Sequence, residues 1–322
     1  MAVQLIDQVP YFWQGRDDGV GARRFFQAVE ALDYSKLSAE HTVALTGFCS
    51  DEGVKRNLGR PGAAMGPAAL RNALVNLSFY HSMKIADLGD ICCQSRDLEL
   101  AQTKLAVLSE SLAKKNILSI VLGGGHEVAW GHGLGLFKAA FEKNKKVGVI
   151  NLDAHLDLRP LINGVQGSSG TPFKQLADFC KENNHEFNYC CIGLQPYANT
   201  ESLFATAQLL GVEMVSASEV KNNYLSVKEK IIQFCENVDT VYLTLCLDVF
   251  AESIAPGVSA PQAFGLAAEQ VQVILEDIIN LTDLIGFDIA ELAPCYDQGQ
   301  QTAHLGAYLL NDVIHLWQEK KQ

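Results

Sequence analysis

Val147–Pro160, VGVINLDAHLDLRP, is the stretch that decides the fold. Its first half, Val147–Leu152, is a short uninterrupted apolar run, the pattern of a strand covered on both faces. Its second half turns polar, with Asp153, His155 and Asp157 two residues apart. In extended chain alternate residues point the same way, so this spacing predicts two carboxylates and an imidazole converging on one point. Such donors suit a divalent cation of the Mn2+ kind, though not exclusively. A solvated loop behind a strand would read the same way.

The apolar signature recurs at Thr42–Phe48, Ile85–Leu88, Ile117–Leu122, Tyr189–Leu194, Val212–Val215, Val241–Leu247 and Leu284–Asp288, giving about eight candidate strands with Val147–Leu152. Helical spacing lies between them, at Pro67–Leu77, Leu98–Lys115, Leu203–Leu210, Val227–Cys235, Ala267–Ile279 and Leu305–Lys320. The alternation predicts an α/β chain: a three-layer α/β/α sandwich around a parallel sheet of eight strands. No linker, repeat or low-complexity tract divides residues 1–322, so the chain reads as one domain.

Polar clusters follow the strands at their carboxyl ends: GFCSDEG, LGGGHE, NLDAHLD, LCLD and GFDIAEL. Open parallel sheets place their ligand sites outside those ends. LGGGHE, Leu122–Glu127, offers His126 behind a glycine turn. TLCLD, Thr244–Asp248, places Cys246 and Asp248 on one face of a strand end, and a buried aspartate there needs a partner or a metal. A small buried core residue is the ordinary fate of such a cysteine. FDIAELAP, Phe287–Pro294, carries Glu291 just past the last strand, where it could meet a cationic amidine or sit at a helix start.

Composition narrows the classes. The 322 residues carry 25 Lys plus Arg against 37 Asp plus Glu, a net charge of −12, with 48% apolar and 19% charged residues. That is a folding composition, without the basic footprint that nucleic acid or an anionic membrane would want. The nine cysteines are odd in number and include no CxxC, which argues against a disulfide scaffold and for a reducing, cytoplasmic setting. The N-terminal segment has neither the apolar core of a signal peptide nor a membrane-spanning length.

The order GGGHE, DAHLD, TLCLD with a downstream PGVSAP, then DIAELAP, resembles the ureohydrolases, the family of arginase, agmatinase and formimidoylglutamase. The resemblance runs from about Thr42 to about Gly306, and Gly47–Arg71 and Ser168–Phe173 look most like the formimidoylglutamase branch. It implies the arginase-like fold with an eight-stranded parallel sheet and a centre of two Mn2+ per subunit. Carried over by motif, one metal would bind His126, Asp153 and Asp157, and the other Asp153, His155 and Asp248. Cys246 would bridge them; the family usually has Asp there, so this chain departs from the pattern. Trimers or hexamers of identical subunits are also implied.

For that branch the reaction is hydrolysis of N-formimino-L-glutamate to L-glutamate and formamide in histidine degradation, by a metal-bridging hydroxide. Asp157 would carry the proton to the departing nitrogen, and Glu291 would hold the amidinium. A small dicarboxylate approaching a −12 protein needs local cations. Lys55, Arg56, Arg60 and Arg159 are the expected ones, with Asn57, Ser168, Ser169 and Thr171 as neutral hydrogen-bonding groups. Another ureohydrolase activity, on guanidino acids or agmatine, and a metal-poor pseudoenzyme stay open at this level. Cys49, on the same sheet edge as Cys246, could form a redox-sensitive disulfide with it if their Cα atoms lie within about 4.4–6.8 Å.

Overall fold

A computed structural model describes residues 4–9 and 11–321; the extremes of the 1–322 reading lie outside the described residues. In chain order the strands are β1 (Val29–Ala31), β2 (His41–Cys49), β3 (Lys84–Cys92), β4 (Leu118–Leu122), β5 (Val147–Leu152), β6 (Asn188–Leu194), β7 (Glu213–Ser216), β8 (Thr240–Cys246) and β9 (Leu284–Ala290). The helices are α1 (Glu52–Arg56), α2 (Gly66–Leu74), α3 (Leu98–Lys114), α4 (Val128–Glu142), α5 (Pro172–Glu182), α6 (Glu201–Leu209), α7 (Ala217–Asn222), α8 (Tyr224–Glu236), α9 (Ala268–Leu281) and α10 (Gln301–Lys321).

All nine strands form one parallel sheet in the order β1-β3-β2-β4-β9-β8-β5-β6-β7. The expected count of eight is corrected by β1, a three-residue edge strand paired with β3. Val-Glu-Ala is too short and too polar to show a strand period, and only its pairing with Ile85–Asp87 defines it. Central strands such as β4, β5 and β8 are buried along their whole length, which explains their near-continuous apolar sequences.

Helix α4 carries no amphipathic signal because it is buried on most of its circumference, from Val128 through Ala140. Helix α5 begins with Pro172 at its first turn and buries Phe173, Leu176, Ala177 and Cys180 along one face. Among the described residues no helix is long and apolar enough to cross a membrane.

The chain steps from β4 to β5 across the places later filled by β9 and β8, so the four central strands surround a switch in strand order. Ligand crevices in such sheets open there. The same order separates Cys49, at the end of β2, from Cys246, at the end of β8, by the two intervening strands β4 and β9. Three strand spacings make roughly 14 Å, beyond disulfide reach. The expected Cys49–Cys246 pair is therefore corrected: both cysteines are free, and the register neighbour of Cys49 is Cys92 on β3. Peptide mapping of oxidised, unreduced protein should recover no peptide linking Cys49 to Cys246; recovering one in good yield would contradict this strand order.

Candidate metal centre

The site sits where β4, β9, β8 and β5 end side by side. Asp153 makes the last ladder bond of β5, its N–H donating to Ile192 O at 2.9 Å. The chain then leaves the sheet: His155 N–H donates back to Asp153 Oδ1 at 2.7 Å, and Asn199 clamps the turn through Leu156 N–H and Ala154 O, both at 2.9 Å. Asp157 has φ +48, in the left-handed region. The segment 153–157 is thus a turn rather than extended chain, and convergence comes from that turn rather than from simple alternation. A local Asx hydrogen bond competes successfully with continued strand here.

The glycine loop before His126 is laced to both neighbours. Gly123 N–H donates to Ile289 O, Gly125 N–H to Ser50 O, and Glu291 N–H to Gly124 O, each at 2.8 Å. His126 N–H donates to Glu291 Oε1 at 2.8 Å, while Ser259 donates its hydroxyl to Oε2. Glu291 itself adopts φ +71, a conformation that side chains with a Cβ rarely take. No helix starts at Glu291; the next begins at Gln301. On β8, Cys246 is the last strand residue and Asp248 lies in a single 3-10 turn, Leu247–Val249.

These elements bring the donors together. His126 Nδ1 lies 2.9 Å from Asp153 Oδ2 and 2.9 Å from Asp157 Oδ2. His155 Nδ1 lies 3.3 Å from Asp153 Oδ1 and 3.2 Å from Asp248 Oδ2. Ligand atoms of His126, Asp153 and Cys246 fall within 4.8 Å of one another, as do those of Asp153, His155 and Asp248. Asp153 belongs to both sets and turns one oxygen to each. Asn151 Nδ2 steadies it, donating to Oδ2 at 3.2 Å.

The donors fit a pair of divalent cations. Three aspartates, Glu291 and Cys246 are crowded with two imidazoles, and the buried atoms His126 Nδ1 and Asp248 Oδ1 have no hydrogen-bond partner. Protons offset part of this crowded negative charge. Burial and the Asp153 charge push Asp157 up to about 6, and burial pushes Glu291 up to about 8. Burial, then Asp153 and Asp248, hold Cys246 well above an ordinary thiol. Burial opposes charging His126 and His155, yet their aspartate partners raise both well above the usual range.

A cavity of about 180 Å³ opens over these groups. Of the expected substrate-binding residues, Asn57, Arg159, Ser169 and Glu291 line it. The other bases are engaged elsewhere. Lys55 pairs with Asp51 at 2.6 Å. Arg56 pairs with Glu99 at 2.6 Å and donates to Gly167 O. Arg60 donates to Val258 O and Ser259 O and lies over the Tyr296 ring. Ser168 and Thr171 are buried in their own turn, Ser168 N–H donating to Thr171 Oγ1 at 2.9 Å. Sequence spacing placed these bases near the strand end but could not show which local acid or carbonyl would claim each. Ser259 and Asn199 also line the cavity and were not anticipated. Ser259 stands in the PGVSAP turn, a usable signal; Asn199 had none, being remote in sequence from the turn it clamps. Gly170 permits the packing of Arg159: a Cβ there would lie 2.8 Å from Arg159 Cδ.

Residues 41–315 match the model of the Arginase family. A formimidoylglutamase of Legionella pneumophila (strain Lens) is 40% identical over 308 residues, covering 95% of each chain. Among solved structures, the Bacillus subtilis formimidoylglutamase superposes with TM-score 0.82 at 21% identity, over 96% of this chain and 95% of that one, a likeness of fold. Trypanosoma cruzi formiminoglutamase, solved with Mn2+, gives 0.79 at 25% identity, over 92% and 98%. The chain belongs to the arginase family. Within that family, its 40% likeness to the Legionella chain is likeness to a formimidoylglutamase.

Because Asp157 moves from 3.8 to about 6 and Glu291 from 4.5 to about 8, the folded chain without metal binds protons more tightly than the unfolded chain. Their stabilising contribution is complete below about pH 4 and is lost as pH rises through about 6 and then 8. Chelator-treated protein should therefore lose Tm between about pH 4 and 8, and saturating Mn2+ should flatten that slope. A Tm that rises over this range without metal would contradict the assignment.

Proposed function

We propose that this chain hydrolyses N-formimino-L-glutamate to L-glutamate and formamide, a step of histidine breakdown, with two Mn2+ per subunit. The observation that carries the reading is Asp153, buried at the end of β5 with one oxygen toward His126 and the other toward His155 and Asp248. Likeness to formimidoylglutamases over 95% of both chains supports the substrate, and the Mn2+ of the trypanosomal structure supports the metal. His126, Asp157 and Cys246 would complete one ligand set around Asp153, and His155 and Asp248 the other. Bound there, the cations supply Lewis acidity and an activated water at neutral pH.

The chain's own residues do the rest. Arg159 receives a substrate carboxylate in its planar fork, with Asn57 and Ser169 adding hydrogen bonds on the same wall. Glu291, fixed by His126 N–H and Ser259, accepts the amidine N–H groups and aims the formimino carbon at the floor of the cavity. Addition of water to that carbon and rupture of its bond to the glutamate nitrogen leave formamide. The Asp157 carboxylate takes the proton from the water and returns it to the departing nitrogen. Arg56 and Arg60 shape the rim through their loop contacts without touching substrate. Assembly as a trimer or hexamer in the cytoplasm completes the proposal; the free cysteines fit a reducing compartment.

Replacing Asp153 with Asn should remove bound metal and reduce glutamate release to background, measured by elemental analysis and a coupled assay on Mn2+-loaded, reduced protein. Full turnover in D153N would overturn the reading. Arg159→Met should leave metal content unchanged and lower kcat/KM roughly 10–100-fold, mainly through KM, as expected for losing one charge-assisted contact of about 1.5–3 kcal/mol. An unchanged KM would remove Arg159 from substrate recognition.

A further inference from the structure

Beneath His126 lies a buried polar chain that the mechanism above does not use. His126 Nε2 stands 3.0 Å from Thr244 Oγ1, and the same hydroxyl donates to Asp288 Oδ1. Thr244 and Asp288 are register partners on the adjacent strands β8 and β9, which puts their side chains on the same face. Asp288 Oδ2 accepts from Tyr242 OH and from His132 Nδ1, the latter at 2.6 Å, and His132 Nε2 meets Ser119 Oγ at 3.1 Å. Thr244, Asp288, Ser119 and His132 are all at most 1% exposed. Gly286 on β9 makes room for this packing, since a Cβ there would fall 3.0 Å from His132 Nε2 and 2.4 Å from Leu136 Cδ1.

Donor and acceptor arithmetic gives the chain a direction. The Asp288 carboxylate only accepts, so the single Thr244 hydroxyl proton is committed to it. Thr244 Oγ1 can then offer His126 only a lone pair, and His126 must present Nε2–H. The other ring nitrogen, Nδ1, is left facing Asp153 and Asp157 as the atom with no hydrogen-bond partner. We propose that Thr244 and Asp288 are positioning residues that fix the tautomer and ring orientation of His126 for cation binding at Nδ1, making the His126-side site depend on a carboxylate that touches no ligand. Tyr242 and His132 hold Asp288 so that its Oδ1 stays turned to Thr244. The inference rests on the two-cation reading of the site and deepens it.

The test is Mn2+ titration of chelator-stripped, reduced protein, followed by electron paramagnetic resonance of free Mn2+, for wild type, T244V, T244A, T244S and D288N. Wild type should take up two equivalents. T244V and T244A should weaken one of them roughly 10–100-fold, the usual cost of losing such an outer partner, and leave the other within a few-fold. T244S, which keeps the hydroxyl, should bind as wild type does, and D288N should weaken the same site as T244V. Thermal melts of the stripped variants show whether each is folded, and T244A separates the lost hydroxyl from any crowding by valine. Wild-type binding of both equivalents by T244V and T244A would overturn the proposal. So would equal weakening at both sites without rescue by T244S, which would make Thr244 a packing residue. If wild type bound no Mn2+, the two-cation reading itself would fall, and this inference with it.

Discussion

Asp153 is a carboxylate with no exposed surface, set at the end of a parallel strand between two imidazoles and beside two further aspartates. Burying one such charge is costly unless it is paired, and burying several of like sign together is costlier still. Protons can relieve the crowding, and the upward pushes on Asp157 and Glu291 are that relief. Divalent cations relieve it better, because they add positive charge at the point where the lone pairs converge. The rest of the site can be read as the framework that keeps this unfavourable cluster from relaxing.

That framework is mostly backbone. The ends of β4 and β9 are tied to each other and to the end of β2 by the glycine loop, and Asn199 fastens the turn after β5. Buried Glu127 secures α1 in the same way, its Oε1 accepting from Ser50 Oγ at 2.8 Å and Gly53 N–H at 2.9 Å. Two of the chemically important carboxylates, Asp157 and Glu291, sit on left-handed backbone, a cost that the surrounding hydrogen bonds sustain. Charge is therefore sorted by depth. Asp153, Asp248 and Glu291 are buried and Asp157 is half-buried, Arg159 lines the same cavity, and Lys55, Arg56 and Arg60 are engaged by other partners.

Much of this is legible in the amino-acid sequence. The strands from Thr42 to Asp288 announced themselves because strands covered on both faces must be apolar at every position. The polar residues that ended them were conspicuous for the same reason. What failed to show had physical causes. Residues 29–31 form a strand only because β3 lies beside them. Helix α4 is buried nearly all round and so has no apolar stripe to detect. The Cys49–Cys246 pair looked plausible because both cysteines end strands, but sharing an edge says nothing of how many strands lie between.

Local chemistry written along the chain determined the class: apolar strands, the glycine loop before His126, and the donors Asp153, His155, Asp157, Cys246 and Asp248. Those are short-range properties, set by spacing and residue type. Which of them meet was decided by strand order, since β4, β9, β8 and β5 are neighbours in space and distant in sequence. Only that order seats Thr244 beside Asp288 beneath His126, and only the folded loops decide that Arg159, and not its three expected companions, lines the cavity. The reason is the same in each case: a hydrogen bond or ion pair goes to the nearest competent partner, and nearness is a property of the tertiary structure.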